Sequence, residues 1–128
     1  MTNNEQDMIS SFEVIRKIFG DKWKFLIITY LFNGITRFGE LQYHIDSITK
    51  KVLTENLREL EKLGIVYRKT YHGVTLKTEY SLTEIGNSLQ PVFESLIIWS
   101  LNYSTLYKEQ LEEMEPKIIS NTDHHKTI

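Results

Sequence analysis

A short stretch near the middle of the chain carries side chains suited to binding an anionic polymer. Its polar and cationic residues are Thr49, Lys50, Lys51, Thr54, Asn56 and Arg58. Lysine contacts phosphate as a compact positive charge, whereas threonine, asparagine and arginine can also hydrogen-bond to the edges of bases. These residue types therefore predict contacts with double-stranded DNA, with the lysines on phosphates and Thr54, Asn56 and Arg58 reading bases.

The charge of the chain is concentrated around this stretch. The net charge of −2 argues against a nucleic-acid partner only until it is divided along the sequence. Residues 47–81 carry seven basic and four acidic side chains, which gives +3, whereas residues 1–46 give −1 and residues 82–128 give −4. The excess positive charge therefore lies in one central block.

The motifs of common catalytic sites are missing from the sequence. It has no glycine-rich phosphate loop, no Gly-x-Ser-x-Gly and no His-Glu-x-x-His. Because the chain also has no cysteine, disulfides, thiolate metal sites and thiol redox switches are excluded within it. We therefore expect no enzymatic activity, no cofactor and no metal.

A helix must position the cationic side chains, and the spacing of leucines predicts it. Leu53, Leu57 and Leu60 recur at helical intervals between Lys50 and Lys62, with the charged residues on the opposite face. Asp46, Ser47 and Thr49 can cap this helix, and a short helix from Phe38 to Ile45 precedes them. The pair predicts a helix-turn-helix whose second helix fits the major groove. On this helix Glu55 either accepts from cytosine or orients Arg58, whereas Glu59 and Glu61 are expected on the flank.

A β-hairpin is predicted to follow this helix. Gly64 ends the helix, and the runs Ile65–Tyr71 and Leu76–Leu82 have the composition and alternation of strands. Such a hairpin is a wing, and we expect it to contact flanking phosphates through Arg68, Lys69 and Lys77, with His72 at its tip. Arg37, in a very short strand at 35–37, is either a phosphate contact or an ion-pair partner of Glu40 or another acid.

The remaining segments predict helices at both ends of an α+β, mostly helical, winged helix-turn-helix. Met8–Phe19 and Trp23–Phe32 have helical patterns, and Thr83 is expected to cap a long helix towards Tyr103 that Pro91 kinks. The long helix is too apolar for the surface of a monomer, which predicts a homodimer. The expected interface residues are Phe12, Ile15, Phe93, Leu96, Ile97, Trp99 and Tyr103. The aromatic residues could instead line a pocket for an unidentified small-molecule effector.

We expect one domain over residues 1–107 and an acidic, frayed or disordered tail over 108–128. The longest uncharged run around the first apolar block, Phe25–Thr36, is too short to cross a bilayer, and the amino terminus lacks the features of a secretory signal. The sequence therefore predicts a cytoplasmic protein without a membrane partner.

Several short blocks, taken together, resemble the HxlR-type winged-helix transcriptional regulators, relatives of the MarR group. The blocks are Trp23-Lys24, Thr36–Leu41, Ile48–Thr54, Leu57–Glu61, Gly64–Val66, Glu79–Thr83, Gly86 and Trp99. The resemblance implies a homodimer that pairs through its terminal helices, binds an inverted repeat and regulates nearby genes. This chain lacks the cysteine that many members carry before the tryptophan of the second helix, and it has Gly73–Leu76 where the wing usually contains a proline. The alternative is a winged helix that binds protein and not DNA.

Overall fold

Within residues 3–114, which are those that the computed structural model describes, six helices and one antiparallel hairpin follow one another. They are α1 (Asn3–Phe19), α2 (Lys22–Phe32), α3 (Phe38–His44), α4 (Lys50–Lys62), β1 (Val66–Tyr71), β2 (Lys77–Leu82), α5 (Glu84–Asn87) and α6 (Gln90–Met114). The described residues divide into two compact units, residues 3–90 and residues 91–114. The first unit therefore contains the whole helix-turn-helix and the hairpin, which confirms the predicted winged fold.

Local capping sets where α2 and α4 begin. Asp21 Oδ1 accepts hydrogen bonds from the backbone amides of Trp23 (2.9 Å) and Lys24 (3.2 Å) at the start of α2. Thr49 Oγ1 accepts from the amide of Val52 at 3.1 Å at the start of α4. Each cap satisfies amides that have no partner inside the helix. The predicted start of α4 at Lys50 is confirmed, and α2 begins at Lys22, one residue before the predicted Trp23.

The turn between α3 and α4 is tight. Ser47 in this turn has φ of 66°, the left-handed region that side chains with a Cβ rarely adopt. Ile45 and Ile48, on either side of it, are buried. The burial of these two isoleucines offsets the cost of the strained conformation at Ser47.

The hydrophobic core of the first unit lies against the apolar stripe of α4. Leu53, Leu57 and Leu60 are fully buried, as are Ile27 of α2 and Leu41 of α3. Fully burying a leucine side chain is worth about 1.5–3 kcal/mol, so this stripe is the main attachment of α4. The same attachment leaves the polar side of α4 facing outward.

The hairpin pairs Val66 with Leu82 at its base and Tyr71 with Lys77 near its tip. The predicted short strand at 35–37 is an isolated bridge between Arg37 and Glu79, and the Tyr80 amide donates to the Thr36 carbonyl at 2.8 Å. The segment before α3 is therefore tied to the outer side of β2, which fixes the hairpin relative to the helix-turn-helix.

The region after the hairpin corrects one prediction. A single helix from Thr83, kinked at Pro91, is wrong: α5 ends at Asn87, and a new helix, α6, begins at Gln90. Thr83 does cap α5, accepting from the Gly86 amide at 3.0 Å. The turn closes through the Leu89 amide, which donates to the Gly86 carbonyl at 3.1 Å. Pro91 then lies in the first turn of α6, where a missing amide proton costs nothing.

The helix α6 is longer than the sequence pattern indicates. It continues past Tyr103 to Met114, so residues 108–114, placed in the predicted tail, are helical. The rest of that tail, residues 115–128, lies outside the described residues. Among the described helices, none combines the length and apolar character needed to cross a membrane.

Candidate nucleic-acid interface

The lysines and the arginine of α4 that were predicted to contact DNA are on its exposed side. Lys50, Lys51 and Arg58 are exposed, and so is the capping Thr49. Thr54 is half-buried, and its Oγ1 donates to the Lys50 carbonyl at 2.8 Å. The hydroxyl oxygen of Thr54 keeps its capacity to accept another hydrogen bond.

The three glutamates of α4 each have a cationic partner. Glu55 Oε1 lies 4.0 Å from Lys51 Nζ, Glu61 Oε1 lies 3.6 Å from Arg68 Nε, and Glu59 is bonded to Lys24. The negative charges that would repel phosphates are therefore compensated locally. Glu55 contacts Lys51, which neither of its predicted roles included.

Pairing of the acids leaves three cations of α4 uncompensated. Lys50, Arg58 and Lys62 form no ion pair with any residue between 3 and 114. Cations without an internal partner are the ones that can replace the counterions of a nucleic-acid backbone. This exposed side of α4, with Lys50, Thr54, Arg58 and Lys62, is called the cationic face below.

A cleft of about 460 Å³ separates the start of α4 from the hairpin. Four cations line it, namely Arg37, Lys50, Arg68 and Lys77. Arg37 Nε lies 3.7 Å from Glu79 and 3.9 Å from Glu40. Arg37 therefore forms the ion pair that was one of its two predicted roles. Among the cations that line the cleft, Lys50 and Lys77 have no acidic partner within residues 3–114.

The hydroxyl of Tyr80 contributes a neutral polar group to this cleft. Burial raises the pKa of Tyr80, and Glu61 adds to the effect, while the guanidinium of Arg68 opposes it. The phenol therefore remains protonated at neutral pH, as a donor and acceptor of hydrogen bonds.

The hairpin carries Arg68, Lys69, His72 and Lys77 on exposed positions, as predicted. Arg68 is engaged with Glu61, and Lys69 Nζ lies 4.9 Å from the ring centroid of Tyr71. The tip also exposes two apolar side chains, Val74 and Leu76, which the sequence reasoning did not select. The sequence could have identified Val74 and Leu76, because apolar residues in a hairpin turn have no core to cover them.

Asn56 is a correction. Its side chain is buried on the leucine stripe of α4, where Oδ1 accepts from Lys24 Nζ at 3.0 Å and Nδ2 donates to the Val52 carbonyl at 2.8 Å. Position 56 lies three residues after Leu53 and next to Leu57, so helical geometry turns it inward. The predicted contact of Asn56 with DNA is therefore wrong.

Lys24 is a functional candidate that the sequence reasoning missed. Its side chain is 6% exposed, and Nζ lies 3.3 Å from Asp21 Oδ2 and also bonds Asn56 and Glu59. Burial alone lowers the pKa of Lys24, but the hydrogen bond to Glu59 and the charge of Asp21 outweigh it and raise the pKa. Lys24 is therefore protonated at neutral pH and places a positive charge between α2 and α4.

The predicted dimer residues divide into two groups. Phe12 and Ile15 on α1 are exposed, and so are Leu96, Ile97, Trp99 and Tyr103 on α6. Phe93 is only 2% exposed within the single chain, so its predicted contact with a second subunit is wrong. Trp99 and Tyr103 stack with ring centroids 5.3 Å apart, and Tyr103 and Tyr107 stack at 5.7 Å, which gives α6 an exposed aromatic row.

Comparison with known proteins identifies the family to which this helix-turn-helix and hairpin belong. The family model for the HxlR-like helix-turn-helix matches residues 18–121. The chain belongs to the HxlR family. It is thus a helix-turn-helix transcriptional regulator, and its family relationship supports DNA binding by the fold described above.

Relatives named as HTH-type transcriptional regulators share much of the sequence. YkvN of Bacillus subtilis strain 168 is 43% identical over 108 residues, which cover 84% of this chain and 89% of the relative. YtcD of the same organism is 35% identical over 112 residues, covering 87% and 89%. The similarity therefore extends over most of this chain and most of each relative.

Solved structures of a redox regulator and of a MarR-family regulator are similar in fold to this chain. The reduced form of the redox regulator HypR is 37% identical, with a TM-score of 0.69, and the match covers 77% of this chain and 98% of HypR. A MarR-family regulator from Enterococcus faecalis V583 is 35% identical, with a TM-score of 0.70, and the match covers 85% and 96%. HypR is named for redox regulation, whereas the 128 residues of this chain include no cysteine to carry thiol chemistry.

Proposed function

We propose that the protein is a homodimeric regulator that reads an inverted-repeat operator with α4 in the major groove. The observation that carries this proposal is the cationic face of α4. Internal ion pairs compensate every glutamate of the helix and leave Lys50, Arg58 and Lys62 without a partner in the part of the chain that is described. A helix attached by one apolar stripe, with such a face outward, has the features required for docking in the groove.

The assignment of roles follows from exposure and side-chain chemistry. Arg58 and Thr54 read base edges, and Lys50 and Lys51 contact phosphates. Thr49, at the start of α4, lies where a backbone phosphate meets a helix N-terminus. The hairpin contacts flanking phosphates through Lys69 and Lys77, and His72 lies beside its exposed tip. Arg37 and Arg68 line the cleft between the hairpin and α4, where they add positive charge.

A homodimer supplies the second half of the operator contact. Phe12 and Ile15 on α1, and Leu96, Ile97, Trp99 and Tyr103 on α6, expose more large apolar surface than a stable monomer normally does. Pairing two copies about a two-fold axis covers these side chains and presents two α4 helices. The two half-sites are then about 34–36 Å apart, one helical turn along one side of the duplex.

Selection of bound duplexes from random DNA tests the proposal. The expected result is an enriched inverted repeat with half-sites about 10 base pairs apart, centre to centre. A single half-site without symmetry would contradict the homodimer arrangement. No enrichment at all would contradict sequence reading and favour a winged helix that binds only protein.

A further inference from the structure

A network around the buried side chains of Lys24 and Asn56 joins the start of α2 to the middle of α4. Lys24 Nζ bonds three acceptors, Asp21 Oδ2 at 3.3 Å, Asn56 Oδ1 at 3.0 Å, and the carboxylate of Glu59. Asn56 and Glu59 lie three residues apart, so both are on the side of α4 that turns towards α2. We call Asp21, Lys24, Asn56 and Glu59 the Lys24 network.

The network is attached to the backbone of both helices. Asp21 Oδ1 accepts from two amides in the first turn of α2, while Asn56 Nδ2 donates to the Val52 carbonyl of α4. The leucine stripe holds α4 by packing that has no preferred direction, whereas hydrogen bonds and ion pairs weaken steeply when their geometry changes. The network therefore restrains rotation and sliding of α4 more sharply than the leucines do.

We propose that Lys24 is a positioning residue for DNA recognition. Its bonds to Asn56 and Glu59 fix the rotation of α4 about its own axis, so that Thr54 and Arg58 meet base edges in register. This inference depends on the proposed role of α4 in the major groove. Lys24 itself does not touch DNA, because its side chain is buried.

Specificity, and not stability, is the property that such a network best explains. Replacing a buried ionic group by apolar side chains of similar size often leaves stability unchanged, and polar groups in some cores instead enforce one arrangement. Removing Lys24 alone would leave the buried oxygen of Asn56 without its donor, which is costly. Replacing both residues together avoids that penalty and isolates the positioning effect.

The decisive variant is therefore Lys24→Met combined with Asn56→Leu. Lys22→Met is the matched control, because it removes the same charge from an exposed lysine two positions away on α2. For each protein, affinity is measured for the selected operator and for a scrambled duplex of equal length, and folding is followed by denaturant unfolding. The readout is the ratio of the two affinities, which a loss of overall charge does not change.

The double variant is expected to unfold cooperatively near the wild-type midpoint and to lose about tenfold in the affinity ratio, the size of one misplaced base contact. Lys22→Met keeps the wild-type ratio. Lys24→Arg, which retains the charge and can still donate to Asn56 and Glu59, is expected to keep the ratio within about threefold of wild type. A folded double variant with the wild-type ratio overturns the proposal.

Glu59→Gln keeps the test decisive if the double variant does not fold. Glu59 is more than half exposed, so this change weakens the network without creating a buried unpaired group. The expected loss in the affinity ratio is about threefold, the value of one weakened hydrogen bond. An unchanged ratio overturns the positioning role. Failure of the proposed function is distinguishable, because the wild-type protein would then itself prefer no duplex.

Discussion

The helices α4 and α6 differ in how much of their apolar surface is buried within one chain. In α4 the leucines at 53, 57 and 60 are fully buried, and each glutamate has a cationic partner. In α6 Phe93 is buried, whereas Trp99 and Leu101 are exposed by more than 60%. The fold of one chain therefore satisfies the apolar side of α4 and leaves most of the apolar surface of α6 uncovered.

This difference separates two kinds of surface. The free groups of α4 are cations and hydrogen-bonding groups, which suit a wet, charged partner such as DNA. The free groups of α6 are large apolar and aromatic side chains, which suit the core of a protein interface. One helix is thus proposed to face the operator and the other a second copy of the chain, and the following substitutions test this division.

The largest effect is expected from the buried side of α4. Leu57→Ala should lower the free energy of unfolding by about 2–5 kcal/mol, because it removes buried methyl groups and leaves a cavity. Denaturant unfolding measures this change. Val74→Ala, at the fully exposed hairpin tip, is the control and should change stability by about 0.5 kcal/mol or less. Equal effects of the two changes would contradict the packing described for α4.

The apolar surface of α6 is expected to control association. Trp99→Ala should weaken the dimer by about 2 kcal/mol, or about thirtyfold in its dissociation constant, because large aromatic side chains dominate interface energies. Sedimentation over a range of concentrations measures it, with Lys108→Ala, on the same helix, as the control. A wild-type protein that remains a folded monomer at micromolar concentration would contradict the comparison between the helices.

The turn that leads into α4 should gain stability from glycine. Ser47→Gly removes the strain of a side chain at φ of 66°, and we expect about 1 kcal/mol of added stability. Asp46→Gly, at the neighbouring position without a positive φ, should instead destabilise by about 0.5–1 kcal/mol, since glycine adds freedom to the unfolded chain. Thermal unfolding of both variants measures the difference, and a fall in stability for Ser47→Gly would show that the serine side chain has another role.

The smallest effect is expected at the hairpin. Lys69→Ala should reduce the slope of log affinity against log salt by about one per protomer, because one phosphate contact is lost. Titrations of operator binding at several salt concentrations measure the slope, and Lys22→Ala is the control with an equal change in charge. A slope equal to that of wild type would remove Lys69 from the interface.

Local signals in the sequence were sufficient for α4 and for the hairpin. The capping residue Thr49 and the spacing of Leu53, Leu57 and Leu60 predict α4 from Lys50 to Lys62, and these are its bounds in the structure. Such features involve residues within one or two helical turns. The family blocks add the order of the elements, which is also confirmed.

Long-range contacts explain what the sequence did not predict. Asn56 was assigned to DNA because its side chain is polar, but its partner Lys24 is 32 residues away and invisible to a local pattern. Phe93 could not be placed because α6 is apolar on most sides, so periodicity does not distinguish its buried side. The sequence pattern predicts a kink at Pro91. The break between α5 and α6 instead depends on a turn that closes at Leu89, two residues earlier.

The central claim is that the cationic face of α4 reads bases, and Arg58→Ala tests it most directly. Affinities of the wild type and of this variant are measured for the selected operator and for every single-base substitution in it. We expect the variant to lose about 1–3 kcal/mol of discrimination at one position in each half-site and to keep its preferences elsewhere. Unchanged discrimination at every position would contradict the claim.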